Sequence, residues 1–252
     1  MTYSDEVLAD SPFLYWRLGE SAGTTAEDAT ANNRDGTYEN TPTLGATGLL
    51  TGDADTAVTL ASASSQAIAR SVQGVTNGSE YTLECWVKAG IQSTFAKLIN
   101  EACGPDLSGC SVEVSSDNGT DGLYYYVRNS VPSDVNDILT AKVGIFDNTR
   151  HHVVITDKDI AGTRNWALFV DGDQRNSGTY TRGTFGTGLD YITAGRRNNG
   201  VAGDSYLNGT IDEVALYSTA LTSARIRRHF EVGANVVKYR MVQGAGHVRA
   251  GN

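Results

Sequence analysis

The densest group of side chains equipped to meet a ligand is Leu123-Tyr-Tyr-Tyr-Val-Arg128. If this run is a strand, alternation sends Leu123, Tyr125 and Val127 inward and Tyr124, Tyr126 and Arg128 to the outer face. Two phenol rings and a guanidinium on one face can stack on a sugar and hydrogen-bond its hydroxyls. The same row serves equally as a protein interface or as a sheet face covered by a loop. Carboxylate chemistry is poorly supplied. Glycoside hydrolysis needs two carboxyl groups facing each other across roughly 5–10 Å. Glu113 stands alone in Ser111-Val-Glu-Val-Ser115, and Asp212 and Glu213 are neighbours that a regular strand points to opposite faces. His151-His152 share that limitation. Neither a Gly-x-Ser-x-Gly elbow nor a phosphate-binding glycine loop occurs.

The elements that must carry these residues are short strands. Runs such as Phe13–Leu18, Tyr81–Lys88, Leu123–Arg128, His152–Asp157, Trp166–Val170 and Gly209–Tyr217 are separated by Asn77-Gly78, Asp117-Asn118-Gly119, Asp171-Gly172 and similar breakers. Helical spacing occurs once: Leu221, Ile226 and Phe230 share a face, with Thr222 as N-cap and Gly233 as stop. The expectation is an all-β, antiparallel two-sheet sandwich with one short C-terminal helix near 223–232. At 252 residues such a chain buries a core without staples. Cys103 and Cys110 bracket a Gly- and Pro-containing loop whose ends can meet in a disulfide, or stay reduced where the compartment is reducing. Cys85 sits in an apolar strand pattern and reads as a small buried residue.

The net charge of −9 argues against a nucleic-acid surface, and no stretch is long and apolar enough to insert in a membrane. The charge is unevenly spread. Residues 236–252 carry Lys238, Arg240 and Arg249 and no acid, leaving the body near −12. The expected division is therefore a domain over 1–235 and a basic extension over 236–252, in which Lys238, Tyr239, Arg240 and Arg249 form an assembly tail. The alternative is that this tail folds back on its own sandwich.

In order and spacing, several pieces resemble the laminin-G-like, concanavalin A-like jelly-roll family. They are Pro12-Phe-Leu-Tyr-Trp-Arg-Leu-Gly-Glu20, Tyr81-Thr-Leu-Glu-Cys-Trp-Val-Lys88, His151-His-Val-Val154, Leu168-Phe-Val-Asp-Gly172 and Leu207-Asn-Gly-Thr-Ile-Asp-Glu-Val-Ala-Leu-Tyr217. The resemblance spans about residues 10–233 and implies two stacked sheets with both chain ends close together. Arg150 departs from it, standing where an aromatic often precedes the His-His-Val strand. Relatives that hydrolyse glycans often carry a Glu-x-Asp-x-x-Glu strand, which is absent here, so no catalytic residue and no enzymatic activity are expected. The resemblance also implies one structural calcium, held by Asp212 at the start of the last strand with Asp28 from the N-terminal loop; the alternative is that Asp212 only hydrogen-bonds backbone amides.

Such domains mostly work outside cells, whereas the N-terminus does not read as a secretory signal. A tailed-bacteriophage virion reconciles the two, because its proteins fold in the host cytoplasm and reach the exterior by lysis. The expected role is a minor tail or capsid decoration protein, contacting other virion proteins, copies of itself and a cell-surface glycan. A free carbohydrate-binding module and a glycan-active hydrolase or lyase are the alternatives.

Overall fold

The computed structural model describes residues 1–103, 110–128, 135–183, 189–197 and 205–236, and of residues 135–142 the backbone alone. In chain order the first strands are β1 (Leu14–Trp16), β2 (Thr25–Ala26), β3 (Gly36–Glu39), β4 (Thr43–Thr47), β5 (Thr56–Leu60), β6 (Ala67–Ser71), β7 (Glu80–Gly90) and β8 (Lys97–Ala102). They are followed by β9 (Ser111–Ser116), β10 (Gly122–Arg128), β11 (Val135–Lys142), β12 (Asp147–Ile160), β13 (Thr163–Val170), β14 (Asp173–Tyr180), β15 (Tyr191–Ala194) and β16 (Gly209–Tyr217). Two helices flank them, α1 (Tyr3–Ala9) and α2 (Ser223–Gly233).

The strands form two eight-stranded sheets. One runs β14-β13-β12-β7-β16-β5-β4, with β1 also paired to β16; the other runs β11-β10-β9-β8-β15-β6-β3-β2. Every pairing between them is antiparallel. The expected sandwich is therefore present. At the β13–β14 hairpin, Asp171 and Gly172 both take positive φ (54° and 74°), the left-handed pair that a two-residue turn needs.

Alternation builds the core. Tyr81, Leu83, Cys85 and Val87 of β7 face Val112, Val114, Leu123, Tyr125 and Val127 of the second sheet. A polar cluster lies inside. Asp157, fully buried on β12, accepts hydrogen bonds from Arg164 Nε (2.7 Å) and from the Tyr81 (3.0 Å), Tyr180 (2.6 Å) and Tyr125 hydroxyls. Tyr125 is the member contributed by the second sheet, so this cluster joins the two layers.

The outer side of the first sheet carries its own apolar layer. Trp86, Ala215 and Tyr217 are covered by Tyr3 and Val7 of α1 and by Phe230 of α2. At its centre the buried Glu84 carboxylate accepts from Tyr3 Oη (2.9 Å), Tyr217 Oη (2.8 Å), His152 Nε2 (2.7 Å) and His229 Nδ1 (3.0 Å). Burial alone would push the Glu84 carboxyl up, but the His229 and His152 imidazoles outweigh it and hold it well below the usual carboxylate range. His229 moves the opposite way: burial lowers it, and the charges of Glu84 and then Asp10 more than restore it, so its imidazole is raised.

Two expectations need correction. The sandwich carries two helices, because α1 precedes the first strand. Its signal was in the sequence as Thr2-Tyr-Ser-Asp5, where Thr2 Oγ1 accepts from Asp5 N (3.2 Å) and Asp5 Oδ2 accepts from Thr2 N (2.8 Å). Gly233 ends α2 without acting as a left-handed stop; the C-cap is Ala234. Glycine is required there by close approach, since a Cβ would lie 2.6 Å from Trp86 Cζ2 and 2.9 Å from Tyr3 Cδ2.

Removing the anchor of this layer strands four polar partners in an apolar setting. Glu84→Ala is expected to cost about 3–5 kcal/mol, since a buried charge network then loses its central partner. Urea unfolding at pH 7 measures it. A loss below about 1 kcal/mol would show that the network is energetically neutral.

Candidate functional site

On β9 and β10 the residues opposite the core alternate outward. Register pairs Tyr124 with Ser115, Tyr126 with Glu113 and Arg128 with Ser111, and on β8 Lys97 lies beside Ser115 and Asn100 beside Glu113. The outer face of the second sheet is therefore polar and aromatic. A groove of about 330 Å³ opens on it, lined by Phe95, Lys97, Glu113, Tyr124, Tyr126 and Arg197 among others.

Glu113 organises this groove. It is 1 % exposed, and Lys97 Nζ (2.8 Å) and Arg197 Nε (3.1 Å) both contact its carboxylate. Ser111 Oγ donates to it as well, at 2.8 Å. Phe95 stands edge-on to Tyr124 with ring centroids 5.4 Å apart, and Lys97 Nζ lies 5.9 Å from the Phe95 ring centre. Two cations around one carboxylate leave a local positive excess on an acidic chain.

Of the sequence-predicted residues, Tyr124 and Tyr126 line the groove together. Arg128 shares their face one pair further along, beside Ser111. Sequence reasoning missed Phe95, Lys97 and Arg197 and left Glu113 isolated. Their meeting depends on cross-strand register, which no local pattern encodes. Cys103 and Cys110 are joined by a disulfide, with Cα atoms 5.4 Å apart and Cys103 N donating to Cys110 O at 3.2 Å. Cys85 is free and fully buried. The tail residues Lys238, Tyr239, Arg240 and Arg249 lie outside the described residues.

The proposed calcium ligands behave differently from each other. Asp28 Oδ1 accepts from Tyr15 N (3.0 Å) and Thr30 N (3.0 Å), and Oδ2 from Thr30 Oγ1 (2.8 Å) and Arg34 N (2.8 Å). Its four lone-pair directions are filled, so it pins the N-terminal loop to β1 and does not fit a metal ligand. No trio of carboxylate, histidine or cysteine side chains able to hold a metal occurs among the described residues. Asp212 Oδ2 accepts from Leu49 N at 2.8 Å, while Oδ1 is buried without a hydrogen-bond partner.

Asp212 and Glu213 do not point to opposite faces. Glu213 has φ of 52°, and the pairing of β16 with β7 slips between Asp212 and Ala215. Ile211 and Val214 both enter the inter-sheet core, so the bulge turns both carboxyls outward, toward Leu49 and Tyr15. Arg17 Nη2 reaches Glu213 (3.0 Å), Asp55 (3.0 Å) and Asp53 (3.2 Å). Burial raises Asp212 well above the usual carboxylate range, and the Glu213 charge adds to this. Burial pushes Glu213 up to about 7 against the opposing pull of Arg17. Arg150, the departure from the familiar pattern, donates from Nη1 to Leu49 O at 3.1 Å and so steadies the same loop.

A family profile described as the concanavalin A-like lectin/glucanase superfamily matches residues 52–227. The chain belongs to this superfamily. Solved structures repeat its architecture at low identity. The binding domain of paraclostridial mosquitocidal protein 1 is similar at 16 % identity and TM-score 0.64, over 89 % of this chain and 52 % of that one. Domain 4 of AbnA, an extracellular arabinanase of Geobacillus stearothermophilus solved with arabinotriose, is similar at 18 % identity and TM-score 0.61, over 86 % and 97 %. The ligand-binding domain of botulinum neurotoxin serotype D, solved with N-acetylneuraminic acid, is similar at 15 % identity and TM-score 0.62, over 90 % and 52 %. The chain thus spans about half the length of the toxin domains it matches. No curated protein matches this member of the superfamily in sequence.

The bulge generates a signed pH dependence. With both carboxyls raised, this pair holds more protons in the folded chain than in the unfolded one between about pH 4.5 and 7. Their contribution is therefore fully present below that window and lost as pH rises through it. Asp212→Asn, which is neutral throughout, is expected to flatten this decline in thermal melts between pH 5 and 7.5. An unchanged slope would place the proton elsewhere. Because Asp28 is saturated, chelator is expected to leave the wild-type melting temperature where it was.

Proposed function

We propose that this chain is a non-enzymatic glycan-binding module, and that the groove on the outer face of the second sheet is where the sugar sits. The observation that carries this reading is the placement of Tyr124 and Tyr126 beside the Lys97–Glu113–Arg197 cluster, in which Lys97 and Glu113 are buried. Aromatic rings supply apolar contact for a sugar face, and fixed polar groups orient its hydroxyls. Because Glu113 is braced by two cations, its geometry is preset before a ligand arrives. That two similar structures were solved with arabinotriose and with N-acetylneuraminic acid supports a sugar as the ligand class.

Catalysis is disfavoured by the same geometry. Hydrolysis through paired carboxyl groups needs a second one within roughly 5–10 Å and a proton to give. Among the described residues that line the groove, Glu113 is the one carboxylate, and both of its oxygens are engaged by cations.

The setting we propose is the virion of a tailed bacteriophage, as a minor tail or capsid decoration protein. What supports it is the basic segment 236–252 on an acidic body, suited to contact with other virion proteins or further copies of this chain. The groove and Glu84 occupy opposite faces of the sandwich, and α2, which precedes this segment, packs on the Glu84 face.

Tyr126→Ala is expected to weaken glycan binding about tenfold or more, equivalent to roughly 1.4 kcal/mol, without lowering the melting temperature appreciably. Deleting residues 236–252 is expected to leave binding intact and abolish incorporation into the particle. Full glycan affinity in the Tyr126 variant would remove the groove from consideration. Normal incorporation of the truncated chain would remove the virion role.

A further inference from the structure

Beside the groove lies a second solvent-open cavity of about 320 Å³, formed by Ile91, Ser93, Thr94, Tyr206 and Asn208 with the Ser62-Ala63 turn. Ser205 lines both cavities, and the consecutive residues Thr94 and Phe95 line one each. We infer that this cavity is a second sugar subsite. The ligand is then a linear oligosaccharide of at least two units, whose first unit stacks on Tyr124 and Tyr126 and whose next unit is uncharged. The inference rests on the glycan-binding reading of the groove and adds to it the length and charge of the ligand.

Three observations carry it. The walls are braced before any ligand binds. Gln92 Nε2 donates to Gly90 O (2.6 Å) and Asn208 O (3.1 Å), and Gln92 Oε1 accepts from Asn208 N (2.9 Å). This amide ties the 91–95 loop to the 205–208 segment with both of its N–H donors spent, so its first role is to position the loop. The loop is held a second time, since Gly119 N donates to Gln92 O (2.7 Å) and Ser116 Oγ donates to Thr94 O (2.9 Å).

The two cavities also differ in chemistry. The groove is charged through Lys97, Glu113 and Arg197, whereas among the described residues none that lines the second cavity carries a charge. Hydroxyls of Ser93, Thr94 and Tyr206 and the Asn208 amide suit sugar hydroxyls, and among the described lining residues a carboxylated unit would find no cation.

Finally, apolar surface is left exposed along this path. Ile91 is 59 % exposed and Phe95 42 %, on a loop rigid enough to present them. Apolar side chains held at the rim of a polar cavity supply contact for the C–H face of a sugar ring.

A microarray of defined oligosaccharides from one to six units, probed with the full chain, tests this. The strongest ligands are expected to have two or more units, with single sugars of the same composition bound at least about tenfold more weakly. Tyr206→Ala, Asn208→Ala and Ile91→Glu should each bring the longer ligands down toward the single-unit signal and leave that signal unchanged. Ile91 and Asn208 are exposed, so these two variants keep the test valid if Tyr206→Ala folds poorly. Tyr126→Ala should lower binding at every length. Equal binding of single and multiple units, or length dependence that survives all three variants, overturns the second subsite and leaves the groove standing. No binding to any glycan overturns the groove reading and this one together.

Discussion

The Tyr125 hydroxyl on Asp157 is the contact on which the rest depends. Asp157 belongs to the first sheet and Tyr125 to the second, and both are fully buried. A carboxylate in this interior is tolerable because three hydroxyls and the Arg164 guanidinium satisfy it. The strand it anchors is β10, whose flanking residues Tyr124 and Tyr126 face outward. A register slip of one residue would drive those two rings into the core and push Tyr125 into solvent. The polar contact thus selects one register where apolar packing alone tolerates near neighbours. The groove inherits its placement from a hydrogen bond on the opposite side of its own strand.

The outer layer repeats this logic at Glu84. Tyr3 comes from one end of the chain, His229 from near the other, and His152 and Tyr217 from strands between them. One buried carboxylate therefore closes both helices over Trp86. His229 Nε2 also lies 3.0 Å from Asp10 Oδ2, without hydrogen-bond alignment, so the two helices share a charge as well as an apolar face. Since α1 is only seven residues long, tertiary contact and its capping box must stabilise it, because isolated helices of that length do not persist in water.

The bulge at Asp212 and Glu213 shows how one added residue changes chemistry. On a regular strand the two carboxyls would be separated by the sheet. Here both face the same side, the Glu213 charge raises Asp212, and Arg17 pairs with Glu213. The β16 strand also changes partner there, pairing with β5 before the bulge and with β1 after it. A carboxyl pair buried at that junction stays put because Arg17, Tyr15 and Leu49 N satisfy most of it.

By itself the sequence determined the sandwich, α2 and the outward row. Period-2 alternation in Tyr81–Lys88 and Leu123–Arg128 and the Asp-Gly turn are local signals that the burial of one sheet face enforces. The cap Thr2-Tyr-Ser-Asp5 went unread, because a helix of seven residues is too short to show periodicity. β4 and β14 were not legible, since TLGAT and DQRNSGTY are polar edge strands with little apolar alternation. What only the tertiary structure decided is who meets whom. Lys97, Glu113 and Arg197 come from three separated segments, and their convergence is set by register and loop path. Asp28 looked like a metal ligand by position, and its oxygens accept from three backbone amides and the Thr30 hydroxyl, which sequence does not reveal. Side-chain type is written in one dimension, while free lone pairs, cross-strand neighbours and bulges are properties of the packed sheets.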